Sequence, residues 1–563
     1  MFDKDTLEKN DLLRKKREDR CEKLYKGRET NATTASGIPV KPVFMPNDIN
    51  NIDIDEIGIP GEYPYIRGIY PLHYQFQPWM NQFTLGYGLP EQTRERMKQL
   101  RDEGMSGYFN AEAYNIVHDL VSKTGCDPDD PMARGLVGQG GVSVCTMNDI
   151  DQLFNGINLE NAHIVQNIGS ATMAGLAMLI VYAQDKGFTI EKMSGNSMNW
   201  LYKAPFVDYA MFPPEGAFKL MIEFIKYCIK HMPKWNILNL CGYFIEEAGG
   251  NAVQEAAFIM ATSIAVTEEC IKAGLKPDEF LPRFGFQFAQ GNDFFEEIAK
   301  IRALRGMWAK INKERFECKN PRALQLRMHT HTSGCSLTAQ QPMVNVIRAA
   351  IHTLGAVLAG TNSIHTSSYD EALALPTQEA ANLALRTQQV IKHETNIPNV
   401  SDPLAGSYYV EWLTKKIDEE AFKLIRKIEE IGYIKCWTSG WFKEELTKSA
   451  YNWRESIDNG DRIVVGLNKY LKNEEKEEVP LFKVDSKIEE IAVERVREYR
   501  IKRNQTKVEN AIYNLKDVAH KINIKWPHGG DLMPAMIEAA RAGATLGEMH
   551  GVLKEEFGWG YTY

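Results

Sequence analysis

The sequence predicts an α/β protein: a (β/α)8 barrel with an N-terminal arm and a C-terminal helical extension. Two observations carry that expectation. Between about residues 105 and 400, short β-like runs alternate with helical patterns, which is the rhythm of a parallel sheet. Several of those runs place polar residues (Asn236, Asn239, Gln287, Gln325, Arg327, His329 and His331) where a closed barrel normally packs Val, Ile and Leu. A polar interior predicts a lumen that holds something.

The elements follow in chain order. Residues 1–35 are charged and helix-prone, with runs such as Leu12-Leu13-Arg14-Lys15-Lys16-Arg17. They read as a solvated helix or as an arm that wraps a partner. From Gly58 to Pro71 the density of Pro and Gly forbids a long helix and predicts an ordered loop packed by its aromatics. Strands are expected at His163–Gly169, Trp235–Cys241, Arg283–Phe288 and Leu324–His331. Each precedes a helix, the last three over 252–273, 294–312 and 343–358. Beyond Tyr409 the chain is helical and charged, through 421–431 and 487–513, with a surface connection at Asn473-Glu-Glu-Lys-Glu-Glu478. These shifts divide the chain into an arm (1–57), a barrel (58–410) and a helical region (411–563).

Composition removes several function classes. The 563 residues are 44% hydrophobic and 25% charged, with a formal net charge of -8. No basic field points to nucleic acid or anionic lipid. The apolar stretch at 171–183 falls short of the roughly 20 residues a membrane span needs. The N-terminus has no apolar signal region, and the nine scattered cysteines contain no CxxC pair. A cytoplasmic protein with reduced thiols is expected.

Candidate chemistry sits near strand ends. His329-x-His331 has metal-ligand spacing, with His365 on a later strand end, but zinc needs three or four converging ligands and no Cys or carboxylate stands at a matching offset. These imidazoles could equally bind a ligand inside the barrel. Tyr243 lies just past a strand end between glycines, and Glu246 and Glu247 open a helix there, where carboxylates suit the dipole. The segments 333–338 and 359–368 are rich in small polar residues, and no GxxxxGK[ST] phosphate loop exists.

The motifs add up in order: Gly58–Pro71, Gln77-Pro78-Trp79, Gly242-Tyr243, Glu247-Ala248-Gly249, Pro282-Arg283, His329-x-x-Thr332-Ser333-Gly334, Ser336-Leu337-Thr338, Asp370-Glu371-Ala372-Leu373 with Leu375-Pro376-Thr377, and Asp402-Pro403-Leu404-Ala405-Gly406-Ser407-Tyr408-Tyr409-Val410. From about residue 35 onward the chain resembles the large subunit of the methylmalonyl-CoA mutase-type, adenosylcobalamin-dependent acyl-CoA mutases. The family's cobalamin-domain motif Asp-x-His-x-x-Gly is missing from the sequence, and Asp517-Val-Ala-His520 has the wrong spacing. The resemblance is therefore to two-chain mutases, such as the isobutyryl-CoA and 2-hydroxyisobutyryl-CoA enzymes. It implies a separate small cobalamin-binding subunit as partner, wrapped by the N-terminal arm, in an α2β2 heterotetramer. The implied reaction is a radical 1,2-rearrangement in which the thioester group migrates, with CoA threading the barrel axis.

The resemblance also implies roles. Tyr243 matches the tyrosine beside the radical pair. Glu247 and Glu371 match carboxylates near the cobalamin and its adenosyl ribose. Gly334, Ala372 and Leu375 match corrin contacts, and Cys335 replaces a corrin-contacting tryptophan. His118 and Leu120 fall on the corrin side. Asn115, Ser170, Thr172, Asn196, Met198, Arg283, Gln287, Asn362 and Ser363 fall along the acyl-CoA channel, with Arg322 in place of a lysine.

The departures bear on the substrate. Gln77, Met80 and Gln82 stand where methylmalonyl enzymes carry Arg, Thr and Arg. Thr84 replaces a bulky tyrosine beside the acyl group, and Phe244 replaces a histidine that bonds the thioester oxygen. The arginine that grips the methylmalonyl carboxylate aligns with Val207 or Asp208, and Val117 stands where hydroxyacyl mutases carry an Asp. Together these remove positive charge and bulk. They favour an acyl-CoA with a larger apolar, branched or aryl group over methylmalonyl-CoA. Two other readings compete: a homologue that binds acyl-CoA without catalysis, and a metal-dependent barrel hydrolase built on His329 and His331.

Overall fold

The computed structural model describes residues 2–25, 32–107, 111–207, 210–472 and 479–560. Ten strand segments form two wholly parallel sheets: β1 (Met80–Asn81), β2 (Thr84–Leu85), β3 (Glu112–Val117), β4 (Ala162–Asn167), β5 (Ser194–Ser197), β6 (Trp235–Asn236), β7 (Leu238–Cys241), β8 (Phe284–Gln290), β9 (Met328–Thr332) and β10 (Ser363–His365). One sheet has the order β1-β10-β9-β8-β7, the other β2-β3-β4-β5-β6. β1 and β2 are halves of one strand broken at Gln82-Phe83, and β6 and β7 are halves of one broken at Ile237. Each broken strand pairs forward with one sheet and backward with the other. Eight strands therefore run around a ring in chain order.

Helices alternate with the strands and cover the outside, among them Thr172–Asp185, Pro214–His231, Ala252–Lys272, Phe294–Lys310, Asn345–Ala359 and Gln378–Glu394. The apolar core lies between the strands' outer faces (Ile116, Ile164, Leu238, Phe286) and these helices. The helix Thr172–Asp185 shows why: its residues from Thr172 to Ala183 are all buried, so its small, all-round apolar surface packs as a core element. Asn345–Ala359, with the preceding turn from Pro342, is long and apolar enough to cross a membrane but packs as the helix between β9 and β10.

The expected elements shift at their edges. The strand expected from Leu324 starts at Met328, because Pro321–Leu324 forms a helical turn capped by the Asn320 side chain. The helical pattern at 487–513 is two helices, Lys487–Lys502 and Gln505–Ile524, separated where the Asn504 side chain caps the second. Asn236 and Asn239 both face inward although three residues apart, because the break at Ile237 resets the alternation. The N-terminal segment is a helix, Lys4–Tyr25, tied to the body through Arg14–Asp48 (2.8 Å) and Asn47–Asp11 (2.6 Å), with Leu12 and Leu13 exposed. The connection expected at 473–478 lies outside the described residues.

Buried ion pairs fasten the outer layer to the barrel. The Lys300 ammonium, fully buried, donates to Glu255 and Glu297 at 2.5 Å each and to the Ala289 carbonyl at 2.9 Å. Arg302 forks onto Glu411 at 2.8 and 2.9 Å and also meets Asp402. Two polar seams thus tie the helix Phe294–Lys310 to its neighbours, through Lys300 to β8 and the helix Ala252–Lys272 and through Arg302 to the helix Tyr408–Ile431.

Candidate active site

The inner face of the ring is open. A cavity of about 640 Å³ runs within it, lined along the strands by Met80, Gln82, Asn115, His163, Val165, Ser194, Asn196, Asn236, Asn239, Gly285, His329 and Ser363. Its mouth is formed by residues of the segments that lead into β6, β8 and β9, including Lys234, Asp278, Arg283, Asn320 and Arg322. The opening is therefore at the strands' N-terminal ends, opposite the face where barrel chemistry is usually assembled.

Among the described residues, several buried atoms of the ring's inner face have no hydrogen-bond partner: Gln82 Nε2, Asn115 Oδ1, Asn196 Oδ1, Gln287 Oε1 and His329 Nε2. Leaving a buried polar atom unpaired costs about 1–3 kcal/mol, so a row of them fits a channel that takes up a polar chain or water. At the mouth Arg283 is half-buried, and its Nη1 is held by the Cys228 and Met232 carbonyls at 3.0 and 2.9 Å. Arg322 is exposed at the rim.

Above the cavity, aromatic rings form a layer near the strands' C-terminal ends. Tyr243 packs on His331 (4.4 Å between centroids), His331 stacks on His365 (4.1 Å), and His365 meets Phe83 (4.7 Å). His365 Nδ1 accepts the Thr84 backbone N–H at 2.8 Å, so its hydrogen sits on Nε2. His331 Nδ1 donates to the Thr332 carbonyl at 2.8 Å. Burial holds His329 and His331 down at about 3 and about 4, and His365 well below its ordinary value, so all three are neutral imidazoles. They do not converge as metal ligands. Among the described residues the group that does is Glu246, Glu255 and Glu297, and the Lys300 ammonium bonds two of its members.

On the C-terminal face, three loops meet at Gly334. Glu247 Oε1 accepts the backbone N–H groups of Gly334 (2.9 Å) and Cys335 (3.1 Å). A Cβ on Gly334 would lie 3.1 Å from Glu371 Oε1, 3.2 Å from the Tyr243 hydroxyl and 3.4 Å from Glu247 Oε2. The absent side chain leaves a cradle bordered by two carboxylates and a phenol. Burial, then the nearby Glu247 and Asp370 carboxylates, push Glu371 up to about 8. Burial, then Glu247 and Glu371, raise the Tyr243 phenol well above its ordinary value. At neutral pH Tyr243 and Glu371 both keep their protons and can donate hydrogen bonds.

The expected residues do not all come together. Met80, Gln82, Asn115, Asn196, Met198, Arg283, Arg322, Asn362 and Ser363 line the cavity together. Val117 and Gln287 stand on the same inner faces by alternation, outside the cavity wall; Gln77 precedes the strand, its amide on the Pro78 carbonyl at 3.1 Å. Ser170 and Thr172 are away from the lumen: they lie past the end of β4, where Ser170 bonds the Lys123 carbonyl at 2.8 Å, and the inward positions of β4 are His163 and Val165. Tyr243, Glu247, Gly334, Cys335 and Glu371 cluster on the C-terminal face, with Ala372 and Leu120 exposed and Leu375 half-buried there. His118 directly follows the end of β3 and is 1% exposed, and neither ring nitrogen has a hydrogen-bond partner among the described residues. Thr84 is half-buried and accepts from Asn115 Nδ2 at 3.1 Å, Val207 is half-buried, and Asp208 lies outside the described residues.

Sequence reasoning missed His163, Val165, Ser194 and Gly285. Counting in twos along the expected strands would have found His163, Val165 and Gly285, whereas Ser194 lies on β5, where no strand was expected. It also missed Trp200 and Lys203, for which no periodic signal exists because they lie in the irregular turn after β5.

Residues 33–559 match the methylmalonyl-CoA mutase family. The chain belongs to that family. It is 36% identical over 527 residues to the 2-hydroxyisobutanoyl-CoA mutase large subunit of Aquincola tertiaricarbonis, covering 93% of this chain and 92% of that protein. It is 36% identical over 528 residues to the mitochondrial methylmalonyl-CoA mutase of Homo sapiens, and 36% over 529 to the methylmalonyl-CoA mutase of Rhizobium meliloti. Those matches cover 93% of this chain and 68% and 72% of the respective relatives. Membership makes the protein a coenzyme B12-dependent acyl-CoA mutase, an intramolecular transferase, and the hydrolase reading falls away.

Proposed function

We propose that this chain is the acyl-CoA-binding subunit of a two-chain mutase, acting in the cytoplasm on an acyl-CoA with an apolar, branched acyl group. The observation that carries the reading is the lumen: an open, polar-lined channel with orphaned hydrogen-bonding atoms, leading from the N-terminal mouth to the layer of Tyr243, His331 and His365. A pantetheine arm entering at Arg283 and Arg322 would follow β8. Its seven residues span roughly 20 Å at about 3.3 Å per residue, which delivers the thioester to Tyr243.

The Gly334 cradle, open above and edged by Glu247, Glu371 and Tyr243, fits the adenosyl end of adenosylcobalamin: carboxyl groups and a phenol are suited to ribose hydroxyls. When bound, that cofactor supplies the carbon-centred radical by homolysis of its cobalt–carbon bond. This chain's own residues then hold the reactants in register and keep water from the radical pair, with Tyr243 fixed against His331 by ring packing.

The cobalt would be carried by a small partner subunit docking on the C-terminal face in an α2β2 assembly. Support comes from the exposed apolar residues on the loops after β3 and β10: Leu120, Met132, Leu136 and Leu373. The exposed side of the helix Lys4–Tyr25 is available to wrap that partner.

An acyl group without a carboxylate is favoured because Thr84, Met198 and Phe244 offer it no cation. Lys203 sits over the rings of Phe244 and Trp200, at 4.2 and 5.0 Å, and does not line the cavity. The test is reconstitution of the chain with a small cobalamin subunit and adenosylcobalamin, followed by screening acyl-CoA thioesters for isomer formation. Turnover of a branched acyl-CoA with no turnover of methylmalonyl-CoA supports the proposal. Preferred turnover of methylmalonyl-CoA overturns the substrate assignment.

A further inference from the structure

Met198 and Asn239 line the cavity, and Trp200, bonded to Asn239, stands behind that stretch of its wall. Trp200 follows Met198 by two residues and is 4% exposed. Its indole N–H donates to Asn239 Oδ1 at 3.3 Å, which anchors the ring to a lumen-lining side chain. Its edge meets Phe244 at 4.4 Å between centroids and 88° between planes. The Lys203 ammonium lies 5.0 Å from the Trp200 ring centroid and 4.2 Å from that of Phe244. The backbone beneath is locked as well: the Tyr202 hydroxyl donates to the Asn239 carbonyl at 2.7 Å and accepts the Cys241 N–H at 2.6 Å.

The Lys203 side chain packs over both rings of this edge-to-face pair, and each contact adds to the packing that holds Trp200 in place. The turn Leu201–Phe206 that carries the wall is bonded to β7 itself, so it cannot swing away without breaking the end of the strand. Across the ring, on β2, β3 and the break beside them, stand Thr84, Gln82 and Asn115, small or flexible groups, two of which carry polar atoms with no partner among the described residues. Room for the acyl group is therefore asymmetric.

We propose that Trp200, held by Asn239, Phe244 and Lys203, is the residue that limits acyl size in this enzyme. The acyl compartment takes compact branched chains and rejects long straight chains and aryl groups. This rests on the acyl-CoA reading above and narrows it: of the groups favoured by the sequence, the aryl ones are excluded by the wall. A rigid apolar wall discriminates by about 10–200-fold per added or missing methylene.

The test measures binding, so it needs neither cobalamin nor partner. Free CoA, isobutyryl-CoA, hexanoyl-CoA and phenylacetyl-CoA are titrated into the purified full chain and into Trp200→Ala and Trp200→Phe. Wild type is expected to bind isobutyryl-CoA at least tenfold tighter than hexanoyl- or phenylacetyl-CoA. Trp200→Ala is expected to tighten the two larger thioesters at least tenfold while free CoA stays within twofold. Trp200→Phe, which keeps an aromatic face for Lys203, should fall between, and it serves alone if the alanine variant does not fold. Parallel chain-length profiles in wild type and the folded variants would overturn the assignment to Trp200 while leaving the acyl-CoA reading standing. Failure of free CoA and every thioester to bind folded wild type would overturn both.

Discussion

Blocking the lumen from within tests the central claim most directly, and Gly285 is the place to do it. It lies in β8 with no positive φ and faces the cavity. A Cβ built there would meet Asn196 Nδ2, Asn239 Nδ2 and the Leu238 carbonyl at 3.8 Å each, which is ordinary contact. Gly285→Ala should therefore fold normally and gain about 0.4–1 kcal/mol from the stiffer unfolded chain. Gly285→Phe would start from the same unstrained Cβ position and send a ring into a lumen of about 640 Å³. If the pantetheine arm buries roughly 200 Å² of apolar surface there, at about 25 cal/mol per Å² its exclusion removes about 5 kcal/mol, more than three orders of magnitude in Kd. Isothermal titration with an acyl-CoA reads the binding, and thermal melting monitored by circular dichroism checks the fold. Folded Gly285→Phe that binds as wild type does would show that the substrate does not use the barrel axis.

Four further outcomes are expected. Lys300→Met leaves three carboxyl groups buried around an uncharged side chain and should cost about 3–5 kcal/mol, read as a lowered denaturation midpoint; an unchanged midpoint would mean the seam adds nothing. His331 is neutral when folded, with its value lowered from 6.5 to about 4, so its contribution is complete above pH 6.5 and is lost as pH falls toward 4. That loss amounts to roughly 3 kcal/mol, and His331→Gln should flatten the stability–pH curve over this interval. Glu371 has the opposite sign: its value is raised from 4.5 to about 8, so its protonated form favours folding below 4.5 and that benefit is lost as pH rises through 8. Glu371→Gln should remove this alkaline-side slope, as a melting series across pH 5–9 would report. Tyr243→Phe should keep its melting temperature, since the ring packing on His331 remains, while turnover of the reconstituted enzyme falls by about 10²-fold; wild-type rates would remove the hydroxyl from the mechanism.

How far the site was legible depended on whether a residue's role follows from local pattern. His329 and Ser363 sit on regular strands, where period-two alternation fixes the inward face once the strand is recognised, whereas Asn239 faces inward only because of the break at Ile237. Gly334, Glu247 and Glu371 come from three loops after β9, β7 and β10, and only ordered motifs across more than a hundred residues linked them. Ser170 and Thr172 show the limit: a shift of a few residues at the end of β4 takes a position out of the lumen and into the helix layer.

The sequence alone determined the alternation of strands and helices, the polar inner faces and the family, because these are carried by spacing along the chain. Only the tertiary structure decided which end of the barrel opens, how Trp200, Phe244 and Lys203 stack into one wall, and that Gly334 is ringed by Tyr243, Glu247 and Glu371. Those facts depend on the shear of a closed ring and on irregular turns, where distances between residues far apart in the chain bear no fixed relation to their separation in sequence.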